Sequence, residues 1–274
     1  MSLDLDERQR AMLQEMGITV WWPRAAEPTD APVLASTHVA PRAQPRGAPP
    51  VVPAAPLART LASEEPRAAL AGVRDWPALG ERVRTCTACS LCEGRKAPVF
   101  VAEASPRQAD WLVVGEPPDE LEERTGAPFA GQAGELLDNM LRAVQLRRDG
   151  SGSSGARLTN VVKCRPALAR NPAPEELAAC AAHLWREVDL VRPRVILAMG
   201  RFAALSLLAP THPELLALPF GKLRGTVYRV QGLPVVVTAH PARLLRAQSD
   251  KALAWADLCL AQTAAREGAQ LIET

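Results

Sequence analysis

The sequence predicts an α/β fold of three layers, with a central, mostly parallel four-stranded sheet between helices. Two observations carry this expectation. Short, nearly continuous apolar runs, Trp111–Gly115, Leu158–Val162 and Arg194–Met199, have the length and composition of strands buried on both faces. Between them lie longer segments whose apolar residues recur at three and four, the spacing of helices that cover a sheet.

Taken in order, the first run, Trp111–Gly115, ends in a Gly/Pro turn crowded with carboxylates. A helix over 132–146 follows, with Ala133, Leu136, Leu137, Met140, Leu141 and Val144 on one stripe. The stretch 149–155, DGSGSSG, reads as a flexible surface loop. Leu158–Val162 gives the second strand and Glu175–Val191 a second helix, with Leu177, Ala181, Leu184 and Val188 inward. Arg194–Met199 enters through Pro193 and leaves through Gly200 into another short helix. Val227–Val230 and Pro234–Ala239 suggest a hairpin or two edge strands joined at Gln231–Gly232, and a last helix covers 250–266.

The N-terminal quarter has a different composition. Residues 1–22 form a short amphipathic segment, with Leu5, Met12, Leu13 and Met16 on one face and Trp21 and Trp22 as aromatic anchors. Such a segment suits either an arm packed on its own domain or a docking motif for a protein partner. Residues 23–69 carry ten prolines between Pro23 and Pro66, which prevents a core and predicts a disordered linker. The folded domain is expected over 70–274. No apolar window is long enough for a membrane span, and the start MSLDLDERQR lacks a hydrophobic signal region. A cytoplasmic monomer is the resulting expectation. The 32 basic and 30 acidic residues leave a net charge of +2, which excludes a generally basic coat but not a local basic groove.

Six cysteines in a cytoplasmic chain point to metal rather than to disulfides. Cys86 and Cys89 form a C-x2-C pair, Cys164 follows the second strand and Cys180 lies in the next helix. Four thiolates suit zinc or an iron–sulfur cluster, and the wide spacing of the second pair weighs against a zinc ribbon. Cys92 is a spare or substitute ligand, and Cys259, between Leu258 and Leu260, reads as packing.

Polar residues gather where strands end, as ligand sites do in open α/β sheets. Phe129 sits in a Pro-Phe-Ala-Gly loop able to present a ring face to a flat ligand. Asn160 offers a donor and an acceptor that can read the edge of a base. His240 leaves the strand ending at Ala239 and is pinned by Pro241. Arg224, Arg243 and Arg246 supply a candidate phosphate-binding face. His38, His183 and His212 carry little weight.

These residues stand in motifs that resemble the family 4 uracil-DNA glycosylases, the iron–sulfur branch of that superfamily. The resemblance spans about Cys86 to Ala264. It rests on Gly115-Glu116-Pro117-Pro118-Asp119, Gly126-Ala-Pro-Phe-Ala-Gly-Gln-Ala-Gly-Glu-Leu-Leu137, Thr159-Asn-Val-Val-Lys-Cys-Arg-Pro166 and His240 to Arg246, with Cys86, Cys89, Cys164 and Cys180 matching in order. It implies a structural [4Fe-4S] cluster on those four cysteines. It also implies excision of uracil from single- or double-stranded DNA, with Gly115, Pro117, Phe129 and Asn160 around the base. Glu116, Glu122 and His240 are then the candidate catalytic groups, with His240 stabilising the uracil oxyanion. Leu244, in the segment up to Arg246, is the candidate strand-separating wedge.

Two positions depart from the family motif. Pro117 removes a backbone N–H, and Asp119 puts bulk and charge where the family has glycine. They leave open an inactive DNA-binding protein on the same scaffold. The short stretch from Cys164 to Cys180 lacks the basic, His-containing insertion of a related branch that traps DNA covalently.

Overall fold

The computed structural model describes residues 70–101 and 108–270. The expected N-terminal segment 1–22 and linker 23–69 lie outside the described residues.

The domain opens with α1 (Trp76–Arg84), capped by Asp75, whose side chain accepts from the Ala78 N–H at 2.8 Å. Trp76, Leu79 and Val83 form its buried stripe. Trp76 stacks on Phe100 at 4.8 Å and lies under the Arg157 guanidinium at 4.2 Å. This helix was absent from the sequence-level expectation.

The sheet contains β1 (Ala109–Gly115), β2 (Gly152–Asn160), β3 (Val195–Met199), β4 (Val227–Val230) and β5 (Leu233–Thr238). Its order is β2-β1-β3-β5-β4, five strands where four were expected. The first four in that order are parallel, and β4 closes the edge antiparallel to β5. The extra strand exists because Gln231 and Gly232 both take positive φ, 52° and 82°, which suits a tight two-residue hairpin.

A second correction concerns 149–155. Strand β2 begins at Gly152, inside the stretch expected to be a flexible loop. A Cβ on Gly155 would stand 3.0 Å from the Gly150 carbonyl and 3.1 Å from Ala109 Cβ. Close backbone approach beside β1 explains that glycine, where composition alone suggests a linker.

Alternation along the strands divides the core. Leu112, Val114, Ile196, Ala198, Val235 and Val237 face α4 (Pro174–Val191) and α5 (Arg201–Leu208). Trp111, Val113, Leu197, Met199 and Val236 face α3 (Gly131–Ala143) and α7 (Lys251–Gln270). Three layers follow directly from that period of two. The short helices α2 (Glu120–Thr125) and α6 (Pro241–Arg246) sit just beyond the C-terminal ends of β1 and β5. No described helix is long and apolar enough to cross a membrane.

Candidate active site

Strand register brings the first two site residues together, since Gly115 of β1 pairs with Asn160 of β2. The Phe129 ring lies over Gly115, and a Cβ there would meet Phe129 Cζ at 2.6 Å, so only glycine admits the ring. Phe129 is buried and takes φ 53°, a left-handed conformation unusual for an aromatic residue. What holds it is Glu122, whose Oε1 accepts from the Phe129 N–H at 2.5 Å.

Glu122 has both oxygens engaged. Oε1 also accepts from Asn160 Nδ2 at 3.2 Å, and Oε2 accepts from the Asp119 N–H at 2.8 Å. Asp119 in turn accepts from the Glu122 N–H at 2.9 Å, completing a capping box at the start of α2. Burial raises the Glu122 carboxyl above its ordinary value, against these hydrogen bonds. Asp119, a departure from the family motif, is therefore the N-cap of a helix. The signal was present as the Asp-x-x-Glu spacing of residues 119 to 122.

Asn160 Nδ2 also donates to the Glu116 carbonyl at 3.0 Å. Both partners of that nitrogen are acceptors, which fixes the orientation of the amide. The buried Oδ1 is left without a hydrogen-bond partner among the described residues. It is an acceptor waiting for a donor.

Glu116 turns toward α5. Its Oε1 accepts from the Phe202 N–H at 2.8 Å, over Gly200, where a Cβ would collide with the carboxyl. Burial pushes this carboxyl up to about 7, partly opposed by the α5 backbone N–H groups. Pro117 is partly buried beside it.

His240 caps α6, its Nδ1 accepting from the Ala242 N–H at 3.3 Å. With Nδ1 an acceptor, the neutral ring carries its proton on Nε2. Burial lowers the imidazole to about 4; Asp119 opposes the shift and Arg246 adds to it. The ring stacks on Phe129 with centroids 5.2 Å apart and planes 18° apart. Glu116, Phe129, Asn160 and His240 thus form one site built from the ends of β1, β2 and β5.

The residues expected to form a DNA face differ in exposure. Arg243 is exposed, with Nε 2.8 Å from Asp250, and Arg246 is exposed. Arg224 instead makes a buried ion pair with Asp257 at 2.7 Å. Leu244 is 1% exposed and packs with Ala239 and Ala254, so it is unavailable as a wedge. Its neighbour Leu245, 39% exposed, is the leucine that faces outward.

A separate cavity is lined by Cys86, Cys89, Cys92, Cys164 and Cys180, with Val83, Leu91 and Ala179 among its apolar walls. Cys164 Sγ accepts from Arg95 at 3.3 Å, and Cys180 Sγ accepts from the Lys163 backbone N–H at 3.3 Å. Among the described residues no group of three or more His, Cys, Asp or Glu converges as a metal-ion site. His183, given little weight from sequence, lines the same cavity and is buried with Nδ1 unpartnered. Cys259 lies on α7, apart from the cavity lining.

A mostly parallel sheet with polar groups gathered beyond its strand ends has the arrangement of an α/β ligand-binding fold. The uracil DNA glycosylase superfamily model matches residues 102–262. The type-4 uracil-DNA glycosylase of Thermotoga maritima is 38% identical, over 63% of this chain and 84% of the relative. That of Archaeoglobus fulgidus is 35% identical over 61% and 83%, and that of Saccharolobus solfataricus 33% over 61% and 76%. The chain belongs to the uracil-DNA glycosylase superfamily, alongside its type-4 members.

Proposed function

We propose that this protein excises uracil from DNA by hydrolysing the N-glycosidic bond, leaving an abasic site. The observation that carries the proposal is the unpartnered Asn160 Oδ1, a buried acceptor fixed beside the Phe129 ring. Uracil presents an N3–H donor to such an oxygen, whereas neutral cytosine presents an acceptor at N3 and is repelled. A base inside a duplex cannot reach this site, so the nucleotide must be flipped out of the stack.

Bond cleavage leaves its electron pair on uracil N1, and the charge spreads to the carbonyl oxygens. His240 Nε2–H is the donor assigned to that oxyanion, and its neutral state keeps the proton on Nε2 rather than surrendering it. The cationic sugar left behind takes the oxygen of water at C1′, and the water's proton leaves to solvent. Glu116 is assigned as the carboxylate that favours that cation and orients the water. Glu122 is reassigned from catalysis to positioning, because both of its oxygens hold the loop and Asn160. Arg243 and Arg246 are the assigned phosphate contacts, and Leu245 replaces Leu244 as the wedge.

The cysteine cavity fits a [4Fe-4S] cluster held by Cys86, Cys89, Cys164 and Cys180. Thiols line one cavity, and Arg95 and the Lys163 N–H already donate to two of the sulfurs. Bound there, the cluster supplies cross-links between distant segments, not a step of the reaction. A monomer acting in the cytoplasm, with residues 1–22 as a docking segment for a protein partner, completes the proposal.

The test is incubation with a uracil-containing oligonucleotide followed by alkaline cleavage of abasic sites. Product from both single- and double-stranded substrates is expected. Repeated absence of product from both would overturn the reading in favour of a DNA-binding protein.

A further inference from the structure

Leu168 is 98% exposed, the most exposed large apolar side chain among the described residues. Its backbone and that of Ala169 are both left-handed, with φ 55° and 52°. Each such conformation costs free energy in a residue with a Cβ, and two in succession persist only if their surroundings impose them. Ion pairs hold the chain on both sides of Leu168 and Ala169. Arg165 pairs with Glu123 of α2 at 2.8 Å on one side. On the other, Arg170 reaches both oxygens of Glu176, at 2.5 and 2.7 Å, and Ser90 also donates to Glu176 at 2.6 Å. A leucine is therefore held out into solvent on a strained segment clamped at both ends, one of them the helix that positions Phe129.

Topology places this leucine. The segment follows β2, while Leu245 follows β5, and β1 and β3 lie between those strands in the sheet. Each exposed leucine thus follows, along the chain, a site residue on one side of β1 and β3: Leu168 comes after Asn160, and Leu245 after His240.

We propose that Leu168 is a second DNA-inserting side chain, which enters the base stack on the flank of the flipped nucleotide opposite Leu245. Apolar side chains that unstack a base step are a recurring way to hold a duplex open. An apolar tip this exposed suits that role, and a segment held at both ends by ion pairs has less order to lose on binding.

The inference rests on the base-excising reading above, and the two fail separately. Single-turnover excision is compared on duplex and single-stranded uracil substrates for the wild type, Leu168→Ala and Leu168→Met. The ratio of duplex to single-strand rate is expected to fall about tenfold or more in Leu168→Ala, the unstacking of one step being worth a few kcal/mol, and to be retained in Leu168→Met. An unchanged ratio in Leu168→Ala would overturn the proposal. If no variant yields abasic product, the excision reading falls, and 2-aminopurine beside the uracil still reports insertion. Wild-type brightening that Leu168→Ala loses supports the wedge; equal brightening in both removes it.

Discussion

Asn160 is useful because of what its neighbours take from it. The Glu116 carbonyl and Glu122 Oε1 both accept from Nδ2, so the amide cannot flip, and Oδ1 alone is left to meet a ligand. Glu122 makes this arrangement, and Glu122→Gln tests it. A glutamine must aim its NH2 at the Phe129 and Asn160 donors or at the Asp119 N–H, leaving at least one buried donor unmet. We expect a stability loss of about 1–3 kcal/mol, read by thermal denaturation, together with slower uracil excision. Unchanged stability and rate would show that the loop does not depend on this carboxylate. His240→Ala removes the proposed oxyanion donor, a partly exposed residue. Excision in single turnover is expected to slow by about a hundredfold or more, while the circular dichroism spectrum is retained. A rate equal to wild type would take His240 out of the mechanism. Asn160 and His240 stood out in sequence because each lies at or just beyond a strand end, whereas Phe129 was marked only by the motif that the chain shares with the family. Glu122 was harder, as one of four glutamates within the 116–123 turn and helix. Only its distance from Asp119 marks it as a cap rather than a solvated acid. Nothing in the sequence marked His183, whose burial depends on which face of α4 meets the cysteine cavity.

At the scale of elements, α5 and α6 bring opposite titrations to one site. The Glu116 carboxyl, at the end of β1, meets the N-terminus of α5, and its pKa is raised from 4.5 to about 7. Between those values the folded state holds a proton that the unfolded chain has lost. Its contribution to stability is therefore full below about pH 4.5 and lost as pH rises through about 7. His240, at the N-cap of α6, is lowered from 6.5 to about 4, so its contribution is present above pH 6.5 and lost as pH falls through about 4. If the ionised Glu116 is the active form, excision rises as pH passes about 7 while this part of the stability declines. Glu116→Gln should flatten both trends, measured as single-turnover rate and melting temperature across the range. A wild-type rate profile identical to that of the variant would remove Glu116 from catalysis. Element boundaries show why some readings succeeded. Strands β1 and β3 are buried on both faces, so apolar composition alone identified them. Strand β2 was misread at its start because Gly155 is required by backbone crowding, which resembles linker composition. Leu244 was taken for an exposed wedge, yet Pro241 and Leu244 are three apart on α6 and turn inward together. The same spacing leaves Leu245 outside.

Across the whole molecule, the cysteine cavity and the site are joined through one buried residue. Lys163 gives its backbone N–H to Cys180 Sγ, while its Nζ donates to Thr159 Oγ1 at 2.5 Å and to the Asn160 carbonyl at 2.9 Å. The same Nζ forms a buried ion pair with Glu187 of α4. Breaking such a pair strands a charge in the interior at a cost of about 3–5 kcal/mol, so Lys163 has little freedom to move independently of α4. Cys164 is the next residue and Cys180 lies on α4, so a cluster on both would cross-link the end of β2 to that helix. Segments tied in this way lose conformational freedom together, and releasing the tie should loosen both. The sequence reported the cysteine spacing but not this connection, because a lysine between a strand and a cysteine reads as surface until its burial is known. Removing the iron of the proposed cluster by chelation under reducing conditions is therefore expected to do more than lower the melting temperature. The Val161 amide, bonded to the Gly115 carbonyl at 3.0 Å, and the Lys163 amide should exchange hydrogen faster. Amides of β5, on the far side of β3, should be affected less. Uracil excision should fall in step with exchange at Val161, since that amide reports the register of Asn160 against Gly115. Exchange at Val161 that is unchanged on complete loss of iron would mean the cluster stabilises the domain without positioning Asn160.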